Sequence, residues 1–281
     1  MLADIVDLLA CPVCRSDLKL SGAALTCANG HSFDVARQGY VSLLVGSRAP
    51  GTADTAAMVA ARAEFLAAGH YEPLAAALRE AVGTPGVIVD AGAGTGYYLE
   101  RVVGGATGVA MDVSKHAIKR AARIGGRVGA FVGDVWQPLP LAGGVADVIM
   151  NVFAPRNGPE FARILRPGGR LVVVTPGPGH LRELVAGLGL LSVDEDKDRR
   201  VARSLPGFDR AERRLVTFRM ELTAREVAEV VGMGPSAWHT DASTLETQIS
   251  TFIAKNQELV QVTAEFHLSI FEAVPDSSTV S

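Results

Sequence analysis

From Val87 onward, short apolar runs alternate with amphipathic stretches. Val87-Ile88-Val89-Asp90 predicts a short buried strand, followed by a glycine-rich turn and a helix from about Tyr97. Ala106 to Met111 predicts a second strand and Ser114 to Arg123 a basic helix. Val128 to Val132, Ala146 to Val152 and Arg170 to Thr175 predict the third, fourth and fifth strands. Nearer the C-terminus, Arg213 to Leu222 and Val262 to Val274 alternate apolar and polar residues, as an antiparallel pair at one sheet edge does. Strands alternating with helices build a doubly wound, mostly parallel sheet whose site lies at the carboxyl ends of the strands. Ahead of it, an Ala-rich helix capped by Thr52 or Thr55 runs through about Leu66, and a second helix spans Glu72 to Val82. The first 45 residues show only short strand patterns, at Leu18 to Leu20, Ala24 to Thr26 and Phe33 to Val45. Gly46 to Gly51 reads as a linker. Three units result: 1–45, then a linker and helices over 46–84, then the α/β sheet over 85–281.

The first unit holds all three cysteines. Cys11-Pro12-Val13-Cys14 and Cys27-Ala28-Asn29-Gly30-His31 make two short chelating turns, the Cys3His shell of a structural zinc ion with no open position for water. The bland alternative is three buried cysteines with a surface histidine. A disulfide would leave a spare thiol. So small a unit has little core, and a bound metal supplies the missing stabilisation.

With 281 residues the chain has room for one large core and a small appendage, and 48% apolar with 20% charged residues is ordinary for a globular protein. No apolar run reaches the roughly 18 residues of a membrane span. Leu2 to Ala10 carries Asp4 and Asp7 without a basic flank, unlike a signal peptide, so a cytoplasmic location is expected. The net charge of −3 gives no overall attraction to nucleic acid, so any RNA binding must rest on local cations. Arg15, Lys19, Arg37 and Arg48 supply one set, and Lys115, Lys119, Arg120 and Arg123 a second, unless the latter are simply a solvated helix face. The charge run Asp194 to Arg200 reads as solvated.

Asp90-Ala91-Gly92-Ala93-Gly94-Thr95-Gly96 ends the first strand of the sheet. A dinucleotide fingerprint would need its third glycine where Tyr97 stands, so G-x-G-x-x-G fails. The D-x-G-x-G-x-G that remains resembles motif I of the class I S-adenosylmethionine-dependent methyltransferases. That resemblance implies a Rossmann-like, mostly parallel seven-stranded sheet. It also implies that Asp90, Gly92, Gly94, Thr95 and Gly96 pack against the methionine part of the cofactor. Asp112, ending the second strand, would accept both ribose hydroxyls, unless it only caps the next helix. Asp134 would sit beside the adenine amino group, unless it only forms a turn. Leu165-Arg166-Pro167-Gly168-Gly169-Arg170 matches the turn before the fifth strand in many such enzymes.

A narrower resemblance covers nearly the whole chain. The Cys3His unit runs into Phe33-Asp34-Val35-Ala36-Arg37-Gln38-Gly39-Tyr40-Val41-Ser42-Leu43-Leu44, with further matches at Met58 through Leu74, Gly96-Tyr97-Tyr98 and Thr175 to Leu181. It is similar to the bacterial 23S ribosomal RNA guanine-N1 methyltransferases, which include macrolide-resistance members. The resemblance implies zinc at Cys11, Cys14, Cys27 and His31, and cofactor contacts at Tyr71, Gly94, Thr95 and His180. On the residues alone, Tyr71 also reads as a core tyrosine and His180 as a helix-terminal residue. The implied substrate is a guanine in a 23S ribosomal RNA hairpin, and the implied assembly a homodimer. We expect Asn151 to touch that guanine and Phe153 to pack near it, unless Phe153 is core. The general base stays unassigned, with His180 and Asp134 as candidates. The zinc unit then reads as an RNA-binding arm, whose removal should leave cofactor binding nearly intact. Two rivals stand beside this reading: a small-molecule methyltransferase with a structural zinc site, and a non-catalytic zinc-stabilised RNA-binding factor.

Overall fold

The computed structural model describes residues 1–46, 53–189, 201–234, 247–252 and 259–274. Most of the expected linker, Arg48, Thr52 and the 194–200 charge run lie outside them. The N-terminal unit opens with two short 3-10 turns at Leu2–Asp4 and Val6–Leu8. A three-stranded antiparallel ribbon follows, β1 (Leu18–Ser21), β2 (Ala24–Cys27) and β3 (Ser32–Asp34). The short-strand pattern over 33–45 is divided between two sheets. Gly39 takes a φ of 86° and closes a turn onto the Ala36 carbonyl, so the chain leaves the ribbon there. It resumes as β4 (Val41–Ser42) in the other sheet.

That second sheet has eight strands in the order β10-β11-β9-β8-β5-β6-β7-β4. They are β5 (Val87–Ala91), β6 (Thr107–Asp112), β7 (Val128–Val132), β8 (Ala146–Val152), β9 (Leu165–Pro176), β10 (Phe208–Leu222) and β11 (Val260–Ala273), with β4 at the edge. Seven come from the expected 85–281 unit; the eighth comes from the N-terminal unit and runs parallel to β7. The pairs from β7 through β9 are parallel, and β11 lies antiparallel between β9 and β10. The Arg166–Gly169 turn lies within β9, where the register against β8 shifts.

Helices are α1 (Ala56–Ala67), α2 (Glu72–Val82), α3 (Tyr97–Val102), α4 (Lys115–Ala121), α5 (Gly158–Ile164), α6 (Arg182–Leu188) and α7 (Ala224–Gly232). Thr55 is the cap of α1, accepting from the Met58 amide, and Ser114 caps α4 in the same way. None is long and apolar enough to cross a membrane.

The sheet separates two apolar cores. On one face α1–α4, α6 and α7 pack over Val128, Ala130 and Val132 of β7; on the other, α5 and the N-terminal unit pack over Phe131. No helix lies between β7 and β8 to cover that second face. Leu2, Ile5 and Leu9 fill the place instead. Gly129 makes room for this, since a Cβ on it would stand 2.4 Å from Ile5. Ala10 donates to the Pro140 carbonyl, and the Arg15 guanidinium to the carbonyls of Leu139 and Leu141. The first 45 residues are therefore no detachable arm, and Arg15 serves the fold rather than being held out for a phosphate.

Candidate active site and metal centre

The ligand atoms of Cys11, Cys14, Cys27 and His31 all lie within 4.8 Å of one another. The Cys14 and Cys27 sulfurs are 3.7 Å apart, and His31 Nδ1 is 3.3 Å from Cys27 and 3.6 Å from Cys11. A zinc tetrahedron with Zn–S near 2.3 Å and Zn–N near 2.0 Å has edges of about 3.5–3.8 Å. The shell fits, with no further protein donor needed. Two tight turns preform it: the Arg15 amide bonds the Cys11 carbonyl, and Gly30, at φ 81°, bonds the Cys27 carbonyl. A hydrogen bond from the Ser16 hydroxyl, then one from Asn29, draws the Cys14 thiol down to about 5, favouring the thiolate a metal takes.

At the carboxyl end of β5, Asp90 is fully buried and its Oδ1 has no partner. Burial, and secondarily the charge of Asp112, pushes its carboxyl up to about 8. Gly92 (φ 92°) faces Ala154, whose methyl a Cβ would meet at 2.2 Å. Gly94 (φ 54°) donates its amide to Asp112 Oδ2, while Asp112 Oδ1 takes the Ser114 amide. Asp112 thus ties the glycine bend to Ser114, the cap of α4. Thr95 is half-buried beside it. Gly96 serves packing instead. A Cβ there would strike Ile124 at 2.4 Å, so this glycine lets α3 pack against α4. Asp134 takes the Trp136 amide on one oxygen, a local turn at the end of β7.

Three buried polar atoms near this bend lack partners: Asp90 Oδ1, the Tyr98 hydroxyl and Asn151 Oδ1. Buried polar groups are ordinarily paired, so the bend fits a polar ligand such as an amino-acid moiety. The sequence reading did not single out Tyr98 for a role, nor Arg62 of α1. The Arg62 guanidinium pairs with Asp54, bonds the Met233 carbonyl and stands over Gly94.

Asn151 does not reach an acceptor base. It is 0% exposed, and its amide nitrogen donates to the carbonyls of Ala91 and Pro155, pinning the exit of β8 to that of β5. Phe153, two residues on, is not core. Its ring is 42% exposed on a backbone with φ 55°. It heads an aromatic cluster: Phe153 to Phe266 at 5.3 Å, Phe266 to His180 at 4.6 Å, and Phe153 to Tyr98 at 6.3 Å. Tyr71 is buried behind Phe266, and its hydroxyl reaches only His180 Nε2, at 3.5 Å. His180 Nδ1 takes the Glu265 amide. Phe266 was invisible beforehand because β11 alternates like any half-buried strand. Arg156, drawn down by burial, bonds the Ser204 hydroxyl and the Ala154 carbonyl, the latter one residue past Phe153.

Comparison with known proteins agrees with this geometry. Residues 9–46 match the family model of the RlmA N-terminal zinc ribbon, and residues 89–173 that of a methyltransferase domain. A Micromonospora griseorubida protein bearing the name 23S rRNA (guanine-N(1)-)-methyltransferase is 50% identical, over 96% of this chain and 99% of its own. The 23S rRNA (guanine(748)-N(1))-methyltransferase of Streptomyces fradiae is 47% identical, over 94% of this chain and 97% of its own. Among solved structures, the YcgJ protein of Bacillus subtilis superposes with a TM-score of 0.51 at 13% identity, over 73% of this chain and 99% of its own, which shows the fold alone. With a metal-ready ribbon ahead of a glycine bend at the end of β5, and relatives alike along nearly their full length, the chain belongs to the 23S rRNA (guanine-N(1)-)-methyltransferase family.

Proposed function

We propose that this protein methylates N1 of a guanine in a hairpin loop of 23S ribosomal RNA, using S-adenosylmethionine, as a cytoplasmic homodimer with structural zinc. The observation that carries the reading is the exposed Phe153 ring beside the glycine bend, at the carboxyl ends of the strands. S-adenosylmethionine, when bound, supplies a methyl group already activated on a sulfonium. Asp90, Gly92, Gly94 and Thr95 hold its amino-acid part, Asp112 its ribose, and Asp134, with its second oxygen, the adenine edge. His180 borders the same space, with Tyr71 fixing its ring from behind.

A loop guanine leaves its stack at low cost and lies against Phe153. Arg156, bonded to the carbonyl one residue past Phe153, is suited to a phosphate or to the O6 that gains charge as the N1 proton leaves. His180 keeps its Nδ1 turned to the Glu265 amide, which argues against it as the base. The protein's main contribution is alignment, on the order of 7–11 kcal/mol.

Tritiated methyl transfer to protein-free 23S RNA, mapped by primer extension, tests the reading. A stop is expected at a single loop guanine, and the position named for the Streptomyces fradiae relative, 748, is the first to inspect. Cofactor uptake without any stop would overturn it, and methyl transfer in the absence of RNA would favour a small-molecule acceptor. Sedimentation equilibrium at two ionic strengths checks the dimer.

A further inference from the structure

Arg62 falls within the Met58 to Leu74 match but carries no role from it, and its guanidinium stands over Gly94. It lies midway along α1, a helix that packs on α4 and α7. Its Nη1 lies 3.7 Å from where a Cβ on Gly94 would sit, and among the described residues, chain neighbours aside, no other residue comes within 4 Å of that point. Its charge is felt by Tyr98 and Asp112, which puts it in one electrostatic neighbourhood with the buried bend. Among the described residues, the other groups there are carboxyls: Asp90 below, Asp112 beside and Asp54 opposite.

The end of an amino acid carries both signs and needs an acceptor for its ammonium and a cation for its carboxylate. Asp90, with Oδ1 unpaired, meets the first need, and the unpaired Tyr98 hydroxyl adds a donor. Among the described residues near the bend, only a guanidinium meets the second. We infer that Arg62 is the anchor for the cofactor's α-carboxylate, and that Asp54 holds it in place until that carboxylate arrives. Arg62 and Asp54 are 27% and 21% exposed, so the guanidinium is desolvated enough to discriminate yet open on one side. Its second nitrogen stays fixed on the Met233 carbonyl while the first changes partner, a fork geometry that lysine lacks. Trading one carboxylate for another keeps the guanidinium paired, while Asp54, 21% exposed, turns to solvent.

The inference rests on S-adenosylmethionine being the cofactor, and the test separates the two. Full-length protein with zinc in place is titrated by calorimetry with S-adenosylmethionine and with its decarboxylated analogue. The wild type should prefer the carboxylated form. Arg62→Gln should weaken S-adenosylmethionine about 10- to 100-fold while changing the decarboxylated analogue by no more than about threefold, so that the preference collapses. Arg62→Lys should restore part of it, and Asp54→Asn should leave S-adenosylmethionine binding equal or tighter. If Arg62→Gln melts as the wild type does and still prefers the carboxylated form, the anchor is wrong. Equal weakening of both ligands would make Arg62 a prop for α1 and overturn it too. If the wild type takes up neither ligand, the cofactor reading fails first and the inference falls with it.

Discussion

Phe153 holds a left-handed backbone that costs a bulky residue on the order of 1–2 kcal/mol, with its ring half in solvent. Asn151 keeps it there by clamping the Ala91 and Pro155 carbonyls on either side of the bend. An apolar side chain that is both strained and exposed gives the fold little, which marks it for an external partner. Phe153→Gly should therefore raise the melting temperature slightly or leave it unchanged, since glycine adopts this φ freely. In single-turnover assays on hairpin RNA the same change should slow methylation about 10- to 100-fold, the loss of one base-stacking contact. A wild-type rate would remove Phe153 from the acceptor site. At this scale the sequence was legible where chemistry is local. Two chelating turns and a D-x-G-x-G-x-G bend declare themselves by spacing. Asn151, Phe266 and Arg62 do not, because each acquires its role from a neighbour 60 or more residues away or from another face.

Strands and helices inside the sheet followed from hydrophobic period and capping residues, and α2 spans the residues its pattern predicts. What pattern did not reveal was which element covers the face of the sheet between β7 and β8. Leu2, Ile5 and Leu9 cover it, while the two-residue strand β4 extends the sheet beside β7. Two perturbations of the N-terminal unit should thus differ. Deleting residues 1–45 should cost the methyltransferase domain several kcal/mol, given about 1.5–3 kcal/mol for each large side chain removed from burial, and should lower its melting temperature and solubility. Cys27→Ala, which breaks the metal shell alone, should abolish RNA methylation yet hold S-adenosylmethionine affinity within about threefold, read by calorimetry. A truncated protein as stable as the full chain would show that β4 and Ile5 are ornamental.

Across the whole molecule the two candidate RNA-binding sets separate. Helix α4, with Lys115, Lys119 and Arg120, and Arg123 just beyond its end, packs on one face of the sheet, and the zinc ribbon, with Lys19 and Arg37, packs on the other. One hairpin docked beside Phe153 is expected to meet one set and not both, and the salt dependence of binding tells which. Lys19→Ala with Arg37→Ala should weaken hairpin binding and flatten its log–log salt slope by about 1.4, roughly 0.7 for each lost contact to single-stranded phosphates. Lys119→Ala with Arg120→Ala should leave the slope unchanged, measured by filter binding between low and moderate salt. The opposite pattern would move the RNA to the α4 face.

The sequence by itself determined the metal shell, the cofactor bend, the α/β sheet and the kinship. Each is written in residues close in the chain, where spacing alone fixes geometry. Tertiary structure decided the rest: that the ribbon is built into the sheet, that Asn151 is a clamp, that Phe153 is the exposed ring, and that Arg62 stands over Gly94. Those depend on which distant surfaces meet and which atoms they leave unpaired, and no local pattern of apolar and polar residues encodes that.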